Sequence, residues 1–216
     1  MSSVDPENST SVSAKMLTAR RLYCERDDRI LFKDLSFELS EGQIMQVQGS
    51  NGSGKTTLMR ILCGLNDNYE GSINWYGQEI EAQAMNFFSS LLYIGHRVGV
   101  SKVLTPVENL RWSCSLKQKA SEEAIYHALA EVGLRGFEES PCYTLSAGQQ
   151  QRVSLARLII SPARLWVLDE PFTTLDVKGV AQLEGLLRGQ ARKGGAVLVT
   201  THHSLNIPAL TVLSLS

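Results

Sequence analysis

Nothing in this 216-residue chain approaches the roughly 18 consecutive apolar residues of a membrane-spanning helix, so it is not expected to cross a bilayer by itself. An excess of either charge is lacking too. The net charge of −1 offers no global attraction to nucleic acid or to an anionic membrane surface. Four scattered cysteines, Cys24, Cys63, Cys114 and Cys142, form no C-x-x-C pair. Their spacing argues against a disulfide framework and for a reducing compartment. Met1 to Lys15 has neither an apolar run nor an arginine, which fits neither a secretory signal nor an organellar presequence. Residues 1–15 are read as a disordered extension. No internal repeat is visible. With 43% hydrophobic residues, the rest of the chain is expected to bury one core as a single domain.

What is present centres on Gly49 to Thr57, Gly-Ser-Asn-Gly-Ser-Gly-Lys-Thr-Thr. It fits the phosphate-binding pattern G-x-x-x-x-G-K-[ST], with Gly49, Gly54, Lys55 and Thr56 in the defining places. Glycines let such a loop turn its backbone N–H groups onto one anion, which makes Ser50, Asn51, Gly52 and Ser53 candidate phosphate contacts. Lys55 supplies a point charge, and the Thr56 hydroxyl is placed to ligate Mg²⁺. Thr57 and the apolar residues after it read as a helix whose positive dipole end completes the cradle. Gln43 to Gln48 reads as the strand that must precede such a loop.

The remaining pattern alternates strands with helices, as an α/β fold with a parallel sheet requires. Leu17–Tyr23, Ile30–Leu39 and the strand-turn segment Gly71–Gly77 suggest a small antiparallel β layer beside it. Leu91–Gly95, Leu165–Leu168 and Ala196–Thr200 read as core strands, and Gln149–Ile160 and Val177–Ala191 as helices. From Thr105 to about Leu145 the pattern is helical. Ile125, Ala128, Leu129 and Val132 share one helix face there, with Ser121 as N-cap. His127 on that helix is expected in solvent, and Cys63 in the core.

Two acids, Asp169 and Glu170, end the apolar strand Leu165-Trp-Val-Leu, where open α/β sheets bind ligands. Beside a phosphate loop, Asp169 would hold Mg²⁺ and Glu170 would polarise an attacking water as general base. Leu145-Ser-Ala-Gly-Gln is a second anion site or a helix cap. In the first reading Ser146 and Gly148 would serve a second copy of the chain.

This order of motifs resembles the ATP-binding subunits of ABC transporters, from about Met16 to the C-terminus. Leu-Ser-Ala-Gly-Gln matches their signature, just before Leu-Asp-Glu-Pro. Thr173-Thr-Leu-Asp176 stands in the D-loop place and Thr200-Thr-His202 in the switch-histidine place, with His203 adjacent. The resemblance implies a P-loop ABC ATPase domain over residues 16–216, with a small antiparallel β subdomain and an inserted helical subdomain at about 97–148. It implies ATP and Mg²⁺ as cofactors, and an ATP sandwich between two copies. Ser146 and Gly148 of one would then close on nucleotide held by Lys55, Thr56, Asp169, Glu170 and His202 of the other.

One departure stands out. His96, in Tyr-Ile-Gly-His, occupies the place where the family carries a glutamine that touches Mg²⁺ and water. Together with Cys24-Glu-Arg-Asp, Leu104-Thr-x-x-Glu-Asn-Leu110 and Asp169-Glu-Pro-Phe-Thr173, it is similar to one subfamily, the ATP-binding subunits of the cytochrome c biogenesis haem exporter. That likeness implies membrane-spanning partner subunits of the cytochrome c maturation system, and a peripheral place on the cytoplasmic face of the bacterial inner membrane. No nucleic acid is expected as a partner. No haem-binding motif is present, so haem would fall to the membrane partners. Tyr23 is a candidate for stacking on adenine. The alternatives are an exporter of another substrate and a soluble ABC ATPase of the iron–sulfur assembly type. A phosphate-loop kinase or GTPase would leave Leu-Ser-Ala-Gly-Gln unexplained.

Overall fold

The computed structural model describes residues 14–115 and 120–215. The expected disordered extension lies outside the described residues except for its last two. Of these, Lys15 already belongs to the first strand, where it pairs with Ser40.

Two sheets divide the strands. β1 (Lys15–Arg26), β2 (Arg29–Ser40), β4 (Glu70–Trp75) and the two-residue β5 (Gln78–Glu79) form an antiparallel sheet in the order β2-β1-β4-β5. The second, parallel sheet has β3 (Ile44–Gln48), β6 (Leu91–Ile94), β7 (Leu165–Asp169), β8 (Ala196–Thr200) and β9 (Thr211–Ser214), in the order β6-β7-β8-β3-β9.

Period-2 geometry assigns the two faces of this parallel sheet to two cores. Leu165, Val167, Ala196 and Leu198 look toward α1 (Lys55–Leu62), whose Leu58, Met59, Ile61 and Leu62 are buried between the sheets. Trp166, Leu168, Val197 and Val199 look the other way, onto α5 (Ala147–Ile160) and α6 (Val177–Arg192). Burial on both faces explains why these strands read as continuous apolar runs instead of alternating ones.

The mid-chain helical stretch is less continuous than its sequence suggests. It holds α3 (Pro106–Ser115) and α4 (Glu122–Glu131), with Ser121 capping α4 by accepting from the Ala124 N–H. Turns then run to a 3-10 segment at Cys142–Thr144, with Gly133 and Gly136 both at positive φ. Ile125, Ala128 and Leu129 of α4 share the core of α5, so this unit rests on the signature helix. The expected boundary at 148 falls inside α5, which starts at Ala147. A short helix, α2 (Ala84–Ser89), precedes β6. Among the described residues no helix is long and apolar enough to cross a membrane.

Parallel pairing aims the carboxyl ends of β3, β6, β7 and β8 at one edge of the sheet. The phosphate loop and the acids Asp169 and Glu170 meet at that edge.

Candidate functional site

β3 ends at Gln48, and residues 49–54 loop from it into α1. Gly49 cannot be replaced cheaply. A Cβ there would sit 2.4 Å from Ser53 Oγ and 2.8 Å from the Leu215 carbonyl. Gly54, at φ 96°, enters α1 in the left-handed region, which costs glycine little. Lys55 arches back over the loop, with Nζ donating to the Gly49 carbonyl at 2.7 Å and the Ser50 carbonyl at 3.1 Å. The charge is thereby held against the loop backbone and on the wall of the cleft. Ser53 is buried, and its Oγ has no hydrogen-bond partner.

Asp169 closes β7 at 2% exposure, where an unpaired carboxylate is expensive. Its Oδ1 accepts from the Thr200 hydroxyl at 2.8 Å, while Oδ2 is buried without a partner. Glu170 sits at φ 54°, a left-handed position that non-glycine residues rarely hold. Its backbone N–H donates to Thr200 Oγ1 at 2.9 Å, which helps to hold it there. Its Oε1 is buried without a hydrogen-bond partner. Thr200 thus orients both acids from the neighbouring strand, a role its sequence position gave no reason to assign.

The two histidines after β8 separate cleanly. His202 Nε2 lies 3.6 Å from Glu170 Oε1, whereas the His203 ring stacks on Phe172, centroids 5.6 Å apart. Buried Gln46 of β3 donates to the Thr201 carbonyl at 3.1 Å and fixes the segment that carries them. His96 follows β6, is exposed, and faces the same cleft. Near the end of β6, burial and then the charge of Asp169 push the Tyr93 hydroxyl up to about 12, so it stays protonated.

Part of this set lines a cleft of about 700 Å³. It brings together Asn51, Gly52, Gly54, Lys55, Thr56 and Thr57 with the strand-end group His96, Asp169, Glu170 and His202. Gly49, Ser50 and Ser53 complete the loop without lining the cleft. Tyr23 is not among its lining residues, and its hydroxyl donates to Glu25 at 2.5 Å. The cleft's outer wall comes instead from the β1–β2 hairpin, through Arg26, Asp27, Arg29 and Leu31. Cys24-Glu-Arg-Asp had marked this hairpin without revealing that it faces the loop.

Ser146 and Gly148 do not reach the cleft. Ser146 caps α5, its Oγ accepting from the Gln149 N–H at 3.2 Å while Gln149 Oε1 accepts from the Ser146 N–H at 2.9 Å. Both the cap and the anion-site reading of Leu-Ser-Ala-Gly-Gln are compatible with this geometry, since Ser146 is exposed and its hydroxyl proton remains uncommitted. Gly148 packs on the loop before α6, where a Cβ would meet the Thr174 carbonyl at 3.0 Å. Arg152 ties three parts together by donating to the Val132 carbonyl at 2.9 Å and to Asp176 Oδ1 at 2.7 Å. Asp176 caps α6, and the Gly179 N–H, with Arg152 behind it, holds its carboxyl below the usual range.

The arrangement is a glycine-rich loop with a lysine facing a buried acid with a free oxygen, a second acid and a histidine. It can hold an anion, a hard cation and a water. A model of the ABC transporter family matches residues 32–173 of the chain. The cytochrome c biogenesis ATP-binding export protein CcmA of Hahella chejuensis is 55% identical over 192 residues, 89% of this chain and 91% of its own length. Its namesake in Pseudomonas putida is 54% identical over 189 residues, 88% and 90% of the two chains. Among solved structures, a dimeric ATP-binding cassette in a post-hydrolysis state with ADP and Pi superposes with a TM-score of 0.75. It shares 22% identity and covers 87% of this chain and 88% of its own.

Proposed function

The chain belongs to the ABC transporter family, and we propose that it is the ATP-hydrolysing subunit of an export complex for cytochrome c biogenesis. The observation that carries this is 55% identity, along 89% of the chain, to a relative of that name.

ATP is the nucleotide of the family, and the residues present fit Mg²⁺ beside it. Asp169 Oδ2 is a buried carboxylate oxygen without a partner, and the Thr56 hydroxyl opens on the same cleft. Asp169, through water, and Thr56 would hold the ion, which neutralises charge on the terminal phosphates when bound. Lys55 and the loop N–H groups bind and orient the triphosphate. Glu170 takes the proton of the attacking water, and His202 lies beside it to hold the γ-phosphate end in place. His96 stands where the family's glutamine would touch the water. A neutral imidazole offers one acceptor and one donor for it, in place of an amide's carbonyl and NH₂.

Ser146 and Gly148 belong in this reading to a sandwich of two copies, each closing on nucleotide held by the other. Neither lines the cleft of its own chain, which supports that. Closure of the sandwich would move membrane-spanning subunits of the maturation system, and hydrolysis would reset them. The subunit would sit peripherally on the cytoplasmic face of the inner membrane, and haem, or the release of a haem-loaded chaperone, would be handled by the partners.

Affinity purification of the tagged chain from detergent-solubilised native membranes tests this. Small multi-span partners and a haem Soret band are expected by mass spectrometry and visible absorption. Soluble partners alone would overturn the exporter reading.

A further inference from the structure

The cleft has a wall that the phosphate loop does not account for. β1 and β2 meet at Asp27 and Asp28, whose φ values of 52° and 59° are those of a two-residue type I′ hairpin turn. Arg26 and Arg29 close that turn as a directly paired couple. Side chains of such a pair share one face, and here both line the cleft. Like charges placed opposite each other destabilise a hairpin. Asp27 relieves Arg26 at 3.3 Å, but Arg29 has no ion-pair partner among the described residues. Its guanidinium lies over the loop instead, with Nη1 3.6 Å from where a Cβ on Gly52 would stand. An unpaired guanidinium over a glycine-rich loop that also carries Lys55 is suited to an anion, and two such cations lining one cleft suit one with several charged groups, a polyphosphate.

We propose that Arg29, seconded by Arg26, is a phosphate ligand of the bound nucleotide, gripping the chain from the side opposite Lys55. Lys55 reaches the anion as a point charge from the loop, while the Arg29 fork donates two N–H groups from the hairpin wall. The hairpin register makes this possible. Cys24 pairs with Phe32 and Glu25 with Ile30, so the extra residue Leu31 bulges and presents its apolar side chain to the cleft beside the arginines. The outer jaw therefore combines two cations, one of them already paired with Asp27, with one apolar contact and no aromatic ring.

The proposal rests on the ATP-binding reading of the loop, and one titration series separates the two. Full-length protein, wild type and the variants Arg29→Ala, Arg29→Lys, Arg26→Ala and Lys55→Ala, is titrated with ATP and, separately, with inorganic tripolyphosphate. Arg29→Ala is expected to weaken both ligands about tenfold, the scale of one lost charge-assisted contact. Arg26→Ala should weaken both less, and Arg29→Lys should restore part of the loss. The salt dependence of binding should flatten in Arg29→Ala. Loss for ATP with tripolyphosphate unchanged would place the guanidinium on the base and overturn the phosphate assignment. Wild-type affinity in both Arg29→Ala and Arg26→Ala, with Lys55→Ala impaired, would sink the hairpin proposal alone. Unchanged affinity in Lys55→Ala would remove the loop reading beneath it. Arg29 is exposed, and unchanged thermal unfolding in its variants excludes a folding defect as the cause.

Discussion

The Thr200 hydroxyl stands between the two acids of the site, donating to Asp169 Oδ1 at 2.8 Å and accepting from the Glu170 N–H at 2.9 Å. Thr200 is fully buried, so neither bond can be replaced by water. Thr200→Val keeps the shape and removes both. It should cost about 1–3 kcal/mol in urea unfolding and raise the Mg²⁺ concentration for half-maximal ATPase, because Asp169 is no longer held. Thr200→Ser should retain both properties. A Thr200→Val protein with wild-type stability and Mg²⁺ response would show that the acids need no such support.

Glu170 combines a left-handed backbone with a buried Oε1 that has no hydrogen-bond partner and His202 at 3.6 Å. Glu170→Gln keeps the volume and loses the basicity. Turnover should fall by about 10²–10⁴, the usual worth of a positioned general base, while ATP affinity holds. Retained turnover would remove Glu170 from the base role. His202→Ala should lower kcat with a smaller change in KM, whereas His203→Ala, which breaks only the stack on Phe172, should lower stability more than turnover.

Much of this was legible beforehand because it is local. A phosphate loop is a run of neighbours, and the apolar strands Leu165–Asp169 and Ala196–Thr200 declare themselves by composition. β9 did not, since Thr-Val-Leu-Ser is four residues long, and only parallel pairing with β3 makes it a strand. The Thr200–Asp169 bond spans 31 positions, and no spacing rule reaches that far. The family resemblance makes Tyr23 a candidate for the base, yet it does not line the cleft. The register shifts of β1, between Ala19 and Leu22 and again around Cys24, decide instead which side chains meet the cleft. The turns after α4 hid behind an apolar pattern, because Gly133 and Gly136 break the helix without breaking the hydrophobicity.

Asp176 offers a pH test. The Gly179 N–H, and then Arg152, hold its carboxyl below the ordinary value, so the ionised form favours the folded state. That contribution is complete above the unfolded value of about 4 and fades as pH falls through the lower folded value. Asp176→Asn keeps a capping oxygen for α6 and removes the charge that Arg152 meets. Its melting temperature should lie below wild type at pH 7, and the gap should close as pH drops below about 4. A gap that is constant down to pH 3 would mean that the charge contributes nothing.

The two-copy reading of the signature is the most exposed to experiment. Ser146 and Gly148 start α5 away from the cleft of their own chain, so a substitution there cannot touch nucleotide held in cis. Gly148→Asp puts a carboxylate where the partner's phosphate would come. In a Glu170→Gln background, nucleotide affinity should change less than about threefold, while ATP-dependent dimers seen by sedimentation should vanish, since like charges facing across an interface cost several kcal/mol. Any Cβ at this position also presses on the Thr174 carbonyl at 3.0 Å. Gly148→Ala carries that contact without the charge and should still dimerise. If Gly148→Asp dimerises as readily as Gly148→Ala, Leu-Ser-Ala-Gly-Gln is a helix cap here and the second nucleotide contact lies elsewhere.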